Sequence, residues 1–133
     1  MRNSPLQRAL AVVAILIVYK LVTTPLVGSR PAPFKSAIAQ LGDFRAALEM
    51  FKEDNGFFPS GTNVLNDLVK RPTNASLAWH QYLDKIPPDP WGHAYRYEYP
   101  GKHNTNSFDL SSAGPDGVFG TADDIGNWQQ KGL

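Results

Sequence analysis

A single apolar stripe constrains this chain more than any other feature. Phe34, Ile38, Leu41, Phe44, Leu48 and Phe51 are spaced by 4, 3, 3, 4 and 3 residues, which places them on one face of an α-helix. Lys35, Asp43, Arg45, Lys52 and Glu53 fall mostly elsewhere. The stripe reads as the core-facing side of a helix, and it needs a sheet or further helices to cover it. Asn55-Gly56 marks its end, because both residues tolerate the left-handed conformation of a helix C-cap. On the N-terminal side, Ser29-Arg-Pro-Ala-Pro33 reads as a stiff, non-helical connector, since each proline removes a backbone donor and restricts the residue before it.

The cover is found downstream. Asn63 to Lys70 reads as a short helix with Val64, Leu65 and Leu68 on its inner face, stopped by Pro72. Trp79, Tyr82, Leu83 and Ile86 add apolar anchors, and Pro87-Pro88-Asp89-Pro90 excludes regular structure. Tyr95, Tyr97 and Tyr99 then alternate with Arg96 and Glu98, the period-two pattern of a half-buried strand. Pro100-Gly101 and Asn104-Thr-Asn106 supply turns, and Ser107 to Ser111 reads as a second strand. Two antiparallel strands under one long helix make an α+β domain. Asn74-Ala-Ser76 fits a glycosylation acceptor, a three-residue pattern that arises often by chance.

Ahead of the domain lies an apolar run from Ala9 to Tyr19, preceded by Arg2 and Arg8. With the piece beyond Lys20, Leu6 to Val27 would span about 33 Å as a helix, the thickness of a bilayer core. Lys20 lies near one end, where its stem can run along lipid while the ammonium reaches the headgroups. The leading arginines favour an N-inside orientation with everything after Arg30 exported. A cleaved signal peptide is the competing reading, since the uninterrupted run has the length of a signal h-region and Val27-Gly28-Ser29 is small enough at its ends for cleavage. The extra apolar length beyond Lys20 favours the anchor. Residues 1–30 are thus expected to form a transmembrane anchor (or signal peptide) and linker, and residues 31–133 the exported domain. The chain has no cysteine, so it has neither a disulfide framework nor a thiolate metal site. A bound metal is one of the few staples left to a small exported domain. A net charge of +1 with scattered basic residues gives no sign of a nucleic-acid partner.

The segment from Gly114 to Gly126 carries the chemistry. It holds Asp116, Asp123 and Asp124, with no lysine or arginine between His103 and Gln130. Carboxylates crowded on one loop repel one another unless a cation or solvent separates them. The glycines and Pro115 let the backbone curl so that carbonyl oxygens turn inward beside the carboxylates. A hard cation wanting six to eight oxygens suits that mixture, and calcium suits it better than magnesium because it tolerates irregular geometry. The EF-hand pattern is absent. Composition alone fits a solvent-exposed acidic turn equally well.

Three motifs, in order, carry a family resemblance. Ile86-Pro-Pro-Asp-Pro-Trp-Gly-His-Ala-Tyr95 resembles the DPWG-x-x-Y strand start of the major pseudopilins of type II secretion. Phe51-Lys-Glu-Asp-Asn-Gly-Phe-Phe-Pro59 resembles their helix ending. Phe108 to Gly117 and Thr121 to Trp128 resemble their C-terminal loop. The resemblance implies a long helix packed on a small antiparallel sheet, with calcium in the C-terminal loop. It implies side-chain ligands from Asp116, Asp123 and Asp124, and carbonyl ligands from Ala113, Val118 and Thr121. The ion's implied role is structural, holding the loop against the sheet and supporting assembly. The implied location is the bacterial inner membrane, single-pass, with a cytoplasmic N-terminus and a periplasmic domain. The implied partners are other pseudopilins and secretion-platform proteins.

Processed pseudopilins carry a basic leader, then glycine and phenylalanine, with a glutamate four residues later, and this pattern does not occur here. The departure implies a tethered variant that contacts a secretion apparatus without being polymerised by the usual route. The alternative is an exported, calcium-stabilised binding or adhesion module, using Tyr95, Tyr97, Tyr99 and Trp91 as an aromatic surface. A catalytic role is not expected. His80, His93 and His103 read as surface or turn residues without metal-ligand spacing, and no nucleophile elbow or small-molecule substrate site is apparent.

Overall fold

The computed structural model describes residues 30–130. Helix α1 spans Ala32–Asn55 and is followed by a 3-10 helix at Val64–Leu68. Three short strands follow, β1 Arg96–Glu98, β2 Asp109–Ser112 and β3 Ile125–Gly126, and then a second 3-10 helix at Asn127–Gln130. The sheet is antiparallel in the order β1-β2-β3, pairing Tyr97 with Leu110 and Ser112 with Ile125. This is the expected α+β layout of a long helix on a small antiparallel sheet. Among the described residues no helix is long and apolar enough to cross a membrane. The anchor assigned to the N-terminal segment lies outside the described residues.

The stripe packs as its spacing requires. Ala37, Leu41, Phe44, Ala47, Leu48 and Phe51 are buried, and Phe34 and Ile38 pack at the margin. Across the interface stand Leu68, Tyr95, Phe108, Leu110 and Ile125. Phe44 meets Tyr95 edge-on at 5.1 Å, and Phe58 meets Phe108 in the same way at 5.1 Å, the geometry that aromatic quadrupoles favour.

The connector expectation is corrected at its C-terminal half. The helix starts at Ala32, with Pro31 as N-cap and Pro33 inside the first turn. A proline there loses no hydrogen bond, because the first N–H groups of a helix have no partner within it. Gly56 closes the helix at φ 82°, its N–H donating to the Lys52 carbonyl at 2.7 Å. Asn55 does more than cap. Its amide donates to the Phe51 carbonyl and to the Tyr82 hydroxyl, and its Oδ1 accepts the Ser76 N–H at 2.8 Å. The irregular segment after Pro72 is thereby tied to the end of α1. The second helix is shorter and tighter than expected, a single 3-10 element with Val64 and Leu68 buried.

Strand β3 has no counterpart in the sequence pattern, since Ile125-Gly126 alone carries no periodicity. It makes β2 the central strand, and all four β2 residues are buried. Leu110 faces the helix, while Asp109 and Ser111 lie under the turn around His103 and the Trp128 ring. Asp109 accepts N–H bonds from His103 at 2.8 Å and Asn104 at 3.0 Å, and meets the His103 ring at 2.9 Å. Burial works against its charge, but these donors outweigh it and hold the carboxyl below its ordinary range. His103 in turn stacks flat on Trp128 at 3.9 Å. The C-terminal 3-10 helix is fastened from the other side by Asn127, which donates to the Phe108 carbonyl and accepts the Leu110 N–H.

A candidate metal site in the C-terminal loop

The loop leaves β2 at Ala113, which is fully buried, and returns as β3 at Ile125. Between them the three aspartates organise the backbone. Asp116 Oδ1 accepts the Val118 N–H at 2.8 Å, and Asp123 Oδ2 accepts the Asp116 N–H at 3.0 Å. Asp124 Oδ2 accepts the Gly120 N–H at 2.8 Å. The Thr121 hydroxyl faces the Val118 carbonyl at 3.1 Å and the Asp123 carboxylate. These bonds, from Thr121 first and the Asp116 N–H second, hold the Asp123 carboxyl below its ordinary range. Gly114 takes φ 67°, and a Cβ there would collide with the Asp123 carbonyl oxygen. Only glycine permits that approach.

Of the six expected ligand residues, the structure thus links Asp116, Val118, Thr121 and Asp123 in one hydrogen-bonded ring. Asp124 lies next to it, and Ala113 sits at the root. Among the described residues no three acidic, histidine or cysteine side chains converge closely enough to hold a metal by themselves. A cation here needs backbone carbonyls to complete its shell. One observation fits such an ion. Asp124 Oδ1 is buried and has no hydrogen-bond partner, an arrangement that costs free energy unless something positive faces it. All the candidate donors are oxygens, the chemistry of a hard cation such as calcium. Asp123 and Asp124 also line an open cleft of about 470 Å³ bounded by Arg30, Phe34 and Gln129, beside the start of α1.

His80, His93 and His103 all keep exposed side-chain surface, and the His93 ring also rests against Gly117 with its Nδ1 buried. The aromatic surface of the binding-module alternative is largely internal. Tyr95 is 7% exposed and hydrogen-bonded to Gln40, and Tyr97 stacks on Phe108 and donates to the Pro59 carbonyl. Burial, with the Asp89 charge behind it, pushes the Tyr95 phenol up.

The family model described as type II secretion system (T2SS), protein G, matches residues 28–128, the helix, the sheet and the loop together. The chain belongs to the type II secretion system protein G family. The type II secretion system core protein G of Pseudomonas aeruginosa is 43% identical, over 90% of this chain and 89% of that protein. Its counterpart in Escherichia coli (strain K12) is 36% identical over 96% of this chain and 95% of the relative. Residues 30–133 make up only about four fifths of the sequence, so this similarity reaches into the segment before Arg30. Among solved structures, the major pseudopilin of the type 2 secretion system of enterohaemorrhagic Escherichia coli superimposes with a TM-score of 0.65 at 33% identity. The match covers 79% of this chain and 99% of the pseudopilin. The fold is pilin-like.

Sequence reasoning found the acidic loop but missed two groups that hold it. Gln129 donates to the Asp124 carbonyl and accepts the Gly126 N–H. Asp89 reaches the root of the loop through Ser112, 23 residues further along the chain. The only signal for Asp89 was its place in the Asp-Pro-Trp-Gly motif.

Proposed function

We propose that this protein is a structural component of a type II secretion pseudopilus, with its C-terminal loop tied down by calcium. The observation that carries this reading is the superposition on a solved major pseudopilin over 99% of that chain at 33% identity, from the long helix to the loop. Similarity to core protein G that reaches ahead of Arg30 favours a subunit over a tethered accessory. In this reading residues 1–30 anchor the chain in the inner membrane with a cytoplasmic N-terminus. Residues 31–133 form the periplasmic domain, which meets other pseudopilins and the secretion platform.

The calcium ion would be held by Asp116, Asp123 and Asp124 with carbonyls of Ala113, Val118 and Thr121, and it would act structurally. Asp124 Oδ1, buried without a partner, is the support for it within this chain. The role is one of architecture rather than catalysis. No observation favours the binding-module alternative, two of whose tyrosines, Tyr95 and Tyr97, are spent on the core. Removing the gene from its host is expected to stop export of that host's type II substrates, and a plasmid copy to restore it, as read from culture supernatants. Unchanged export in the deletion strain contradicts the proposal.

A further inference from the structure

The Asp-Pro-Trp-Gly turn, residues 89–92, has no part in the function derived so far. Asp89 is 3% exposed and its side chain is fully buried. Its Oδ1 accepts the N–H groups of Trp91 at 3.0 Å and His93 at 2.8 Å. Its Oδ2 accepts the hydroxyl of Ser112, the last residue of β2 and itself 0% exposed. The same Ser112 Oγ accepts the Gly114 N–H at 3.0 Å.

The direction of this relay is fixed by chemistry. A backbone N–H can only donate, and a serine hydroxyl has one proton. That proton is committed to Asp89, so the lone pairs face Gly114. Gly114 in turn lies against Asp123, where a Cβ would collide with the carbonyl oxygen and stand 2.9 Å from Oδ2. The turn touches the loop a second time through the His93 ring, whose Nε2 would stand 2.7 Å from a Cβ on Gly117, next to Asp116.

We propose that Asp89 is a positioning residue for the C-terminal loop. Through Ser112 it sets Gly114, and through Gly114 it sets Asp123, so that the cation's oxygens are in place before the ion arrives. A buried carboxylate tolerates little displacement of its donors, since each lost bond leaves it uncompensated. That intolerance makes it an effective anchor for a loop rich in glycine. The inference rests on the calcium reading for its ligand, while its claim about loop order stands apart from the metal.

The test uses the full chain and two variants, Ser112→Ala, which removes the relay, and Asp89→Asn, which nearly keeps the shape. Calcium dissociation constants are measured by titration calorimetry. Amide exchange is measured without metal over residues 113–126 and over α1. Both variants are expected to bind calcium about tenfold or more weakly, the scale seen when groups behind metal ligands are removed. Loop amides are expected to exchange faster while α1 keeps its protection. Wild-type affinity with unchanged loop exchange overturns the proposal, and so does an equal loss of protection in α1 and loop, which makes Asp89 a general stability residue. If the wild type itself binds no calcium, the calcium reading fails, and the exchange rates still decide whether Asp89 orders the loop. Should Asp89→Asn not fold, Ser112→Ala alone decides between these outcomes.

Discussion

Saturating calcium is expected to raise the melting temperature of the wild-type protein by about 10–20 °C, and Asp124→Ala is expected to remove that rise. A ligand that binds only the folded state stabilises it by about 2.7 kcal/mol at a hundredfold excess over Kd. For a domain of roughly 100 residues, each kcal/mol moves the midpoint by about 4–8 °C. Asp124 is the informative position because its Oδ1 is buried without a partner while Oδ2 holds the Gly120 N–H. Alanine removes the uncompensated oxygen together with one loop bond. In the absence of metal, the variant should therefore melt close to the wild type. Asp123→Ala should also lose the response, since that carboxylate joins Thr121 to the Asp116 N–H. Magnesium should have less effect, because it demands near-ideal octahedral geometry.

The pH dependence has a definite sign. The folded-state pKa of Asp123 is depressed from 3.8, so its contribution is present above that ordinary value and is lost as pH falls through the folded one. The calcium response should fade in the same acidic window, because protonated carboxylates do not bind the ion. Melts with calcium and with chelator across this range measure both effects. An equal rise in wild type and Asp124→Ala would show that calcium acts elsewhere.

Phe51→Ala is expected to destabilise the domain by about 3–5 kcal/mol, the range for deleting a buried aromatic ring. Phe51 is 0% exposed and closes the C-terminal end of the helix stripe. Its ring meets Phe57 at 5.9 Å and Tyr82 at 5.6 Å. Tyr82 is held in turn by Asp54 and Asn55 at the end of α1. A cavity there strips contacts from both the 57–59 segment and the irregular segment before β1. Small domains have a total stability of about 5–15 kcal/mol, so this loss is a large share of the whole. Met50, its helical neighbour at 42% exposure, gives the control. Met50→Ala should change the urea midpoint by less than about 0.5 kcal/mol equivalent. Similar losses at both positions would contradict the assigned face of the helix.

The long helix was legible because six large apolar residues repeat at helical spacing and Asn55-Gly56 ends them. Tertiary packing followed that stripe. The proline connector misled because a proline's missing donor costs a helix nothing in its first turn, where Pro33 lies. The first strand was legible from alternating tyrosines, although burial fades along it from Tyr95 to the 40% exposed Tyr99. Strand β3 was not legible, because two residues make no pattern and their pairing with Ser111 and Ser112 is entirely long-range. The acidic loop showed in composition, and the backbone bonds to its aspartates did not. Asp89 was hidden for the same reason, since its role depends on β2 bringing Ser112 beside it across 23 residues of sequence.

The most direct test is to overproduce the full chain with its native secretion system, shear and purify the surface filaments, and identify their main subunit by intact mass. This protein is expected as the repeating subunit, with filaments lost from the Asp124→Ala strain. Filaments that lack it, with the protein left in the membrane at its full 14.7 kDa, would contradict the assignment as a pseudopilus component.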